Sequence, residues 1–243
     1  MLLVFIVHLK HNFMKSFLRL TLTAMVIALF FSAFSVPETE AQILQEILNR
    51  MDKHNQSLQT LRSDVTMAKY NSQLKENDVT EGSVMYLPVK KGDPLIRIDW
   101  TKPVAETLAV VKGEYIIYRP RLSQYLTGKT KDAKGSGKAN SGLAFMNMSK
   151  TELKTNYSIK YIAEETVSSG VKANRLELTP KKAASYKMAE IWVDANGMPV
   201  QAKVVEKNND TTTILLHNVK KNGKINLSDF KVIVPPGTRE IKG

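Results

Sequence analysis

Residues 81–125 read EGSVMYLPVKKGDPLIRIDWTKPVAETLAVVKGEYIIYRPRLSQY, and the hydrophobic pattern of this stretch decides the fold class. Apolar side chains recur at every second position in two runs, Ile96, Ile98, Trp100 and Leu108, Val110. A period of two is typical of a β-strand with one buried face. A short turn at Gly113 links the second run to residues 115–118, so we expect neighbouring strands to be antiparallel.

The same period continues towards the C-terminus. Alternating apolar positions recur in five further runs, with a Thr-rich strand at residues 211–217 between the last two: Tyr157, Ile159, Tyr161; Leu176, Leu178; Ala189, Ile191, Val193; Val200, Ala202, Val204; Phe230, Val232, Val234. Residues 194–197 (DANG) predict a type I′ hairpin turn. We therefore expect an α+β fold with about 10–11 strands. So large an antiparallel sheet curls towards an incomplete, open barrel.

Two segments break this pattern and predict helices. Before the strands, apolar positions follow steps of three and four along Ile43, Ile47, Met51, His54, Leu58 and Leu61, which predicts an amphipathic N-terminal helix. In mid-chain, residues 127–142 predict a Lys- and Gly-rich loop that leads into a short apolar helix at residues 143–153. Because both helices need an apolar surface, we expect them to lie on the sheet.

The N-terminus reads as a secretory signal peptide covering residues 1–41. Lys15 and Arg19 precede an apolar stretch at residues 20–36, and Ala41 ends a small-residue cleavage pattern. We expect translation to begin at Met14, removal of this segment, and one domain at residues 42–243. An uncleaved membrane anchor is the alternative, since about twenty apolar residues span a bilayer.

Composition excludes several classes of function. The 243 residues include no cysteine, which excludes disulfides, thiol nucleophiles, Cys-ligated zinc and a lipidated N-terminal cysteine. The formal net charge is +12, but the lysines are dispersed and no aromatic–basic motif of the RNA-binding type occurs. We therefore expect no nucleic-acid partner, and anionic lipid or an acidic docking face instead.

No arrangement of side chains predicts catalysis or a metal site. His54 and His217 have no partner at metal-ligand spacing, and no serine lies in a G-x-S-x-G elbow. A hydrolase would need a clustered His–carboxylate or Ser–His pair, for which few histidines are available. We expect a protein that is not an enzyme and uses neither cofactor nor metal.

In order and spacing, these features resemble the periplasmic lipoprotein carriers, the LolA-like family. The shared features are a Gly-led strand, an aromatic-x-x-Pro strand end, a Gly turn and a Tyr-x-Pro strand end, here at Gly82, Trp100 with Pro103, Gly113, and Tyr118 with Pro120. Residues 176–180 and 230–237 are similar to the family's later strand and to its terminal strand before Pro-x-Gly. The resemblance extends over residues 42–241.

The resemblance implies a monomeric periplasmic carrier whose helices form a lid over an apolar cavity. Such a carrier takes lipoprotein acyl chains from an inner-membrane lipoprotein-releasing transporter to an outer-membrane acceptor. The residues expected to line the cavity are Ile96, Ile98, Trp100, Leu108, Val110, Ile191 and Val193. The residues expected in the lid are Ile47, Met51, Phe145, Met146 and Met148, with Lys91 and Arg97 as candidates for polar contact with it.

Two departures from the family keep other functions open. The family's arginine before the hairpin proline has no clear match, since Lys91 and Arg97 are merely nearest, and the lid region is rich in lysine and glycine. One alternative is a binder or sensor of another amphiphile, such as a phospholipid or glycolipid, with the same fold. Another is a structural envelope protein with a filled core.

Overall fold

Twelve strands form one sheet in the computed structural model, which describes residues 39–89, 93–130 and 148–242. Neighbours follow the order β12-β6-β5-β4-β3-β2-β1-β11-β10-β9-β8-β7. The strands are β1 (Leu61–Asn71), β2 (Glu76–Leu87), β3 (Leu95–Lys102), β4 (Glu106–Val111), β5 (Glu114–Arg119), β6 (Gln124–Lys129), β7 (Tyr157–Thr166), β8 (Lys172–Pro180), β9 (Tyr186–Asp194), β10 (Pro199–Glu206), β11 (Thr211–Lys221) and β12 (Arg239–Lys242).

The sheet is open, as the sequence predicts, because β12 and β7 lie at its two edges and do not pair with each other. Neighbouring strands are antiparallel except β12, which pairs with β6 in parallel. The strand count slightly exceeds the expected number. The period-two runs do not include β1, β2, β6 or β12. Ser63 interrupts the apolar positions of β1, the first half of β2 is mostly polar, β6 ends in the predicted loop, and β12 is exposed throughout.

The strand predicted through Phe230, Val232 and Val234 is wrong. Residues Leu227–Phe230 form a 3₁₀ turn, and residues 231–234 are not in a strand. Phe230 is buried whereas Ile233 is 81% exposed, so the alternation reflects an irregular segment lying on the sheet. The terminal strand is β12, beyond Gly237.

Helix α1 (Glu40–Ser57) confirms the predicted N-terminal helix, although it ends earlier than its apolar stripe suggests. Leu58 follows the helix and Leu61 begins β1. Apart from residues 39–41, the expected signal peptide lies outside the described residues, and Glu40 and Ala41 already belong to α1.

Helix α2 (Lys150–Asn156) lies at the C-terminal end of the predicted mid-chain helix. It begins at a capping box, in which the Ser149 hydroxyl accepts a hydrogen bond from the Glu152 amide while the Glu152 carboxylate accepts one from the Ser149 amide. This motif satisfies two otherwise unpaired groups of the first turn. Residues 143–147 of the predicted helix lie outside the described residues.

The β9–β10 hairpin turns at residues 194–197, as expected, but it is not a type I′ turn. A type I′ turn needs positive φ at both central residues, which here are Ala195 and Asn196. Neither has a positive φ; within residues 194–197 it is the fourth residue, Gly197, whose φ is positive, at 82°. The Asp194 carboxylate accepts hydrogen bonds from the Asn196 and Met198 amides, each 2.8 Å long. The side chain of Asp194 therefore holds the turn, and the glycine returns the chain to the next strand.

From Glu40 onward the chain forms one compact unit whose core consists of two apolar clusters. The first cluster belongs mainly to β1–β5 and β11, and the second joins α1 and α2 to β7–β10. None of the helices within the described ranges is long and apolar enough to span a membrane.

Candidate functional site

The residues expected to line a cavity share one face of the sheet. Ile98 pairs with Leu108 on one side and with Val84 on the other, and Ile96 pairs with Val110. Directly paired residues point to the same face. We call this face, which also carries Val65, Met67 and Ile214, the inner face, and the opposite one the outer face.

The inner face continues into the other half of the sheet. Met67 pairs with Ile214, Ile214 with Ala202, and Ala202 with Ile191. Ile191 pairs in turn with Leu176 of β8. Apolar side chains therefore recur on this face from β4 to β8, where they form the two clusters.

The structure divides the predicted lining residues between the two clusters. Ile98, Trp100, Leu108 and Val110 are buried in the first cluster, and Ile96 packs against it half-buried. Ile191 and Val193 are fully buried in the second cluster. Contact of any of these residues with an acyl chain stays a prediction.

Helices α1 and α2 cover the second cluster. Ile47 and Met51, both expected in the lid, are buried there beside Leu153 of α2, and Met148 packs against the same cluster. Leu176 and Leu178, which are not among the residues expected to line the cavity, are fully buried in the same cluster. The alternation of these two leucines along the sequence was the signal that could have identified them as lining residues. Phe145, Met146 and Lys91 lie outside the described residues.

Polar contacts join the two helices on their exposed side. The Lys150 ammonium donates to the Asn49 side chain at 2.6 Å, and the Lys154 ammonium donates to the Gln45 side chain at 2.8 Å. The Asn55 amide group donates to the Met148 carbonyl at 3.1 Å. Exposed polar contacts of this kind contribute little net stability, so apolar burial holds the helices in place.

Two phenols form a polar pair beside the second cluster. The hydroxyl groups of Tyr157 and Tyr186 lie 2.7 Å apart. Burial raises the pKa of Tyr186, and its hydrogen bond to Tyr157 acts in the same direction. The Tyr186 hydroxyl therefore stays protonated at neutral pH and offers no base for catalysis.

Arg97, expected to contact the lid, lies on the outer face. It pairs with Met85 and Ala109 and alternates with Ile98. Its guanidinium donates twice to the Asp99 carboxylate, at 2.8 and 2.9 Å, and once each to the carbonyls of Asp229 and Lys231. Arg97 thus fixes the C-terminal segment to the back of β3, and contact with the lid is no longer expected of it.

Each face carries a groove. The inner groove, of about 580 Å³, lies where β3 turns into β4, and Met67, Thr80 and Trp100 are among its lining residues. The outer groove, of about 610 Å³, lies between β4–β6 and the C-terminal segment. Although the outer groove is slightly larger, Ala109 and Ile116 line it from the face opposite Ile98, so it is separate from the apolar inner face.

Within the described ranges, no group of three or more His, Asp or Glu side chains is placed to hold a metal ion. His54 is buried at the end of α1, and His217 contacts the Thr66 hydroxyl on β1. On the outer face, the Thr66 hydroxyl lies 3.2 Å from His217 Nε2, and the Asp64 carboxylate lies 3.9 Å from His217 Nδ1. The inner face, by contrast, supports binding of an apolar ligand by burial.

Comparison with known protein families also indicates a carrier fold. Residues 56–233 match the family described as outer membrane lipoprotein carrier protein LolA. The match begins at the end of α1 and includes β1–β11. None of the curated proteins matches the chain.

Solved structures with similar folds share little sequence with this chain. An uncharacterized conserved protein from Thermus thermophilus has a TM-score of 0.54 at 14% identity, covering 83% of this chain and 100% of that one. MucB has a TM-score of 0.50 at 14% identity, covering 77% of this chain and 62% of that one. A putative outer membrane lipoprotein-sorting protein domain from Vibrio parahaemolyticus has a TM-score of 0.42 at 12% identity, covering 76% and 94%. At such identities, the first two likenesses show the fold alone.

Proposed function

The chain belongs to the family of the outer membrane lipoprotein carrier protein LolA, and from this premise we propose that it is an exported carrier of lipoproteins. Its inner face would bind the acyl chains of a lipoprotein in the periplasm. The single observation that carries the proposal is the apolar inner face, whose two clusters lie on one side of a sheet that does not close.

The physical demand of such a task matches this surface. Burying an acyl chain is worth about 0.8 kcal/mol per methylene, so a carrier needs apolar area and no bond chemistry. An open sheet provides that area without having to unfold. Together with the family's description as a carrier, this argues for a protein that is not an enzyme.

The helices supply the means of release. Ile47, Leu48 and Met51 already fill the second cluster, so an acyl chain entering there would replace one apolar contact with another. Such an exchange keeps the net affinity modest and the transfer reversible. Methionine suits this role because its side chain repacks around ligands of different shapes.

The proposed route begins at an inner-membrane lipoprotein-releasing transporter and ends at an outer-membrane acceptor. It follows from the family's description as an outer membrane lipoprotein carrier and from the export signal read in residues 1–41. We propose that the protein travels between the two partners as a monomer.

A binding experiment with matched variants tests the site. Ile96 and Ile116 are both half-buried isoleucines on nearby strands, but Ile96 lies on the inner face and Ile116 on the outer face. Ile96→Gln should weaken binding of a dipalmitoylated lipopeptide about tenfold or more, because it places an amide against the acyl chain. Ile116→Gln should bind like the wild type. Equal binding by both variants would exclude the inner face as the site.

Depletion of the protein in its native host tests the role. Retention of lipoproteins at the inner membrane, measured by membrane fractionation, is the expected result. Unchanged sorting would contradict the carrier role. Native mass spectrometry of protein purified from the envelope adds a second readout, in which bound free phospholipid or glycolipid and no acylated protein would favour the alternative amphiphile binder.

A further inference from the structure

At one end of the inner face the surface changes from apolar to basic. The inner groove has Met67 and Trp100, both buried members of the first cluster, on its floor. Lys69 of β1 lines one side, and Arg119 and Arg121, at the end of β5 and in the turn after it, line the other. Any ligand lying on the apolar face near Trp100 therefore reaches these cations at its polar end.

The sheet order places the cations on opposite walls. Going across the groove, the lining residues are Lys69 on β1, Thr80 on β2, Trp100 on β3, Glu106 on β4 and Arg119 on β5. Four steps between strands of about 4.8 Å each separate Lys69 from Arg119 by about 19 Å along the sheet. Lys69 and Arg119 therefore stand at the two sides of the groove, with the strands between them as its floor.

Two of the three cations form no ion pair with any residue in the described ranges. The Arg119 guanidinium donates to the Glu106 carboxylate at 2.6 Å, and this ion pair neutralises it. Lys69 and Arg121 are exposed, and neither forms a hydrogen bond or ion pair with any residue that the structure describes. Asp78 faces Lys69 across β1 and β2, but it does not line the groove and lies beyond 4 Å of the ammonium.

We infer that this groove binds an acidic peptide segment, the one that directly follows the acylated residue of a cargo lipoprotein. The inference rests on the proposed function, because the acyl chains on the inner face bring the attached peptide to this end. Lys69 and Arg121 select negative charge in that segment, whereas Trp100 and Met67 contact the acyl end. The groove therefore adds a preference among cargoes to a surface that by itself recognises any acyl chain.

The test uses lipopeptides that differ in charge alone. Each carries a dipalmitoylated cysteine, a serine and then four glutamates, four glutamines or four lysines, and binding to the intact mature protein is measured by fluorescence anisotropy. The wild type should bind the glutamate peptide most tightly and the lysine peptide least. The difference should shrink as salt is raised from 0.02 to 0.3 M, since exposed charges are screened within about 10 Å at 0.1 M.

Substitution of the groove cations tests whether they cause the charge preference. The double variant Lys69→Gln/Arg121→Gln should bind the glutamate peptide about five- to tenfold more weakly and the glutamine peptide unchanged, as two exposed charge interactions would produce. The matched control Lys112→Gln/Lys224→Gln removes the same charge from exposed sites that do not line the inner groove, and it should retain the preference. All four substitutions are at exposed positions, where stability changes little.

Each outcome decides between the two proposals. If the wild type binds the three lipopeptides equally, the charge preference is wrong while acyl binding stands. If none of the lipopeptides binds, the proposed function itself fails. If the lipopeptides show no charge preference but phosphatidylglycerol binding depends on Lys69 and Arg121, the groove takes a lipid headgroup, and the peptide assignment is overturned.

Discussion

Gly197 lies directly against the backbone of Arg50, so closely that a β-carbon built on the glycine would come within 2.2 Å of the Arg50 carbonyl group. Gly197 belongs to the β9–β10 turn and Arg50 to the middle of α1. The same glycine has a φ of 82°, a conformation that other residues adopt at a cost. One residue thus both shapes the turn and allows the helix to sit on it.

Gly197→Ala should destabilise the protein by about 2–4 kcal/mol, from backbone strain and from displacement of α1. Urea unfolding monitored by circular dichroism measures the loss. Gly170→Ala is the matched control, because Gly170 has the same φ of 82° but nothing within 4 Å of its added β-carbon. Its expected loss is about 1 kcal/mol. Equal losses in the two variants would mean that the contact with Arg50 is unimportant.

Arg97→Gln should release the C-terminal segment from the outer face. The substitution removes donors to Asp99, Asp229 and Lys231, and hydrogen bonds of charged groups are worth about 1.5–3 kcal/mol each. We expect a loss of roughly 1–3 kcal/mol in the free energy of unfolding, since water replaces part of these bonds. Hydrogen exchange of the amides in β12 should accelerate, because β12 follows this segment.

The control for Arg97 is Lys102→Gln, which breaks an exposed ion pair with Glu81. Exposed pairs contribute little, so its unfolding free energy should stay within about 0.5 kcal/mol of the wild type and the exchange in β12 should not change. Unaltered exchange in the Arg97 variant would show that pairing with β6 alone holds β12.

His54 should make stability depend on pH. Burial lowers the pKa of His54 below its ordinary value of 6.5, Lys221 acts in the same direction, and Asp194 opposes them. The unfolded chain therefore binds a proton more readily than the folded protein does below pH 6.5. The contribution of His54 to the free energy of unfolding should be constant above pH 6.5 and decrease as the pH falls below it.

Urea unfolding at several pH values between 5 and 8 measures this dependence, and His54→Gln supplies the comparison because glutamine does not titrate. The difference in unfolding free energy between wild type and variant should change between pH 5 and 6.5 and stay constant from pH 7 to 8. A constant difference over the whole range would assign the acid sensitivity to other groups.

Gly82→Ala should disturb the pairing of β2 with β3. A β-carbon at Gly82 would come within 2.3 Å of the Asp99 carbonyl oxygen and 2.9 Å of the Trp100 Cα, at a point where the register shifts. The strands would have to separate locally, at a cost of about 1–3 kcal/mol. Near-ultraviolet circular dichroism should report the change, since Trp100 pairs with Gly82. Gly223→Ala, with open space around the added carbon, should leave both stability and spectrum unchanged.

Prediction from the sequence worked best where a strand buries one face. Ile96, Ile98 and Trp100 are apolar at alternate positions because Arg97 and Asp99 between them lie on the other face and pair with each other. In β9 both faces are buried, and Trp192, between Ile191 and Val193, belongs to the first cluster. Strand β12 buries no side chain, so its sequence carries no such alternation. The C-terminal segment is the opposite case. Phe230 is buried against the sheet without pairing with a strand, so its alternation with Val232 and Val234 predicted a strand that the structure does not have.

At the candidate site, too, some features could be predicted from the sequence and others could not. Its lining residues were predictable as apolar, but a shift of one residue in pairing would turn every side chain of a strand to the other face. Arg97 illustrates this point, because its neighbour Ile98 lies inside while Arg97 faces outward to the C-terminal segment. The charges that line the inner groove come from β1, β4, β5 and the turn after β5, and no spacing along the chain marks Lys69 as a neighbour of the others.

By itself, then, the sequence determined most strands of the sheet and the amphipathic helix before them, because each follows from the local periodicity of apolar residues. The tertiary structure alone decided that Lys69 and Arg121 lie on opposite walls of one groove, that Gly197 touches Arg50, and that Arg97 holds the C-terminal segment. Each of those contacts joins residues far apart in the chain, and they meet only once the register of the whole sheet is set.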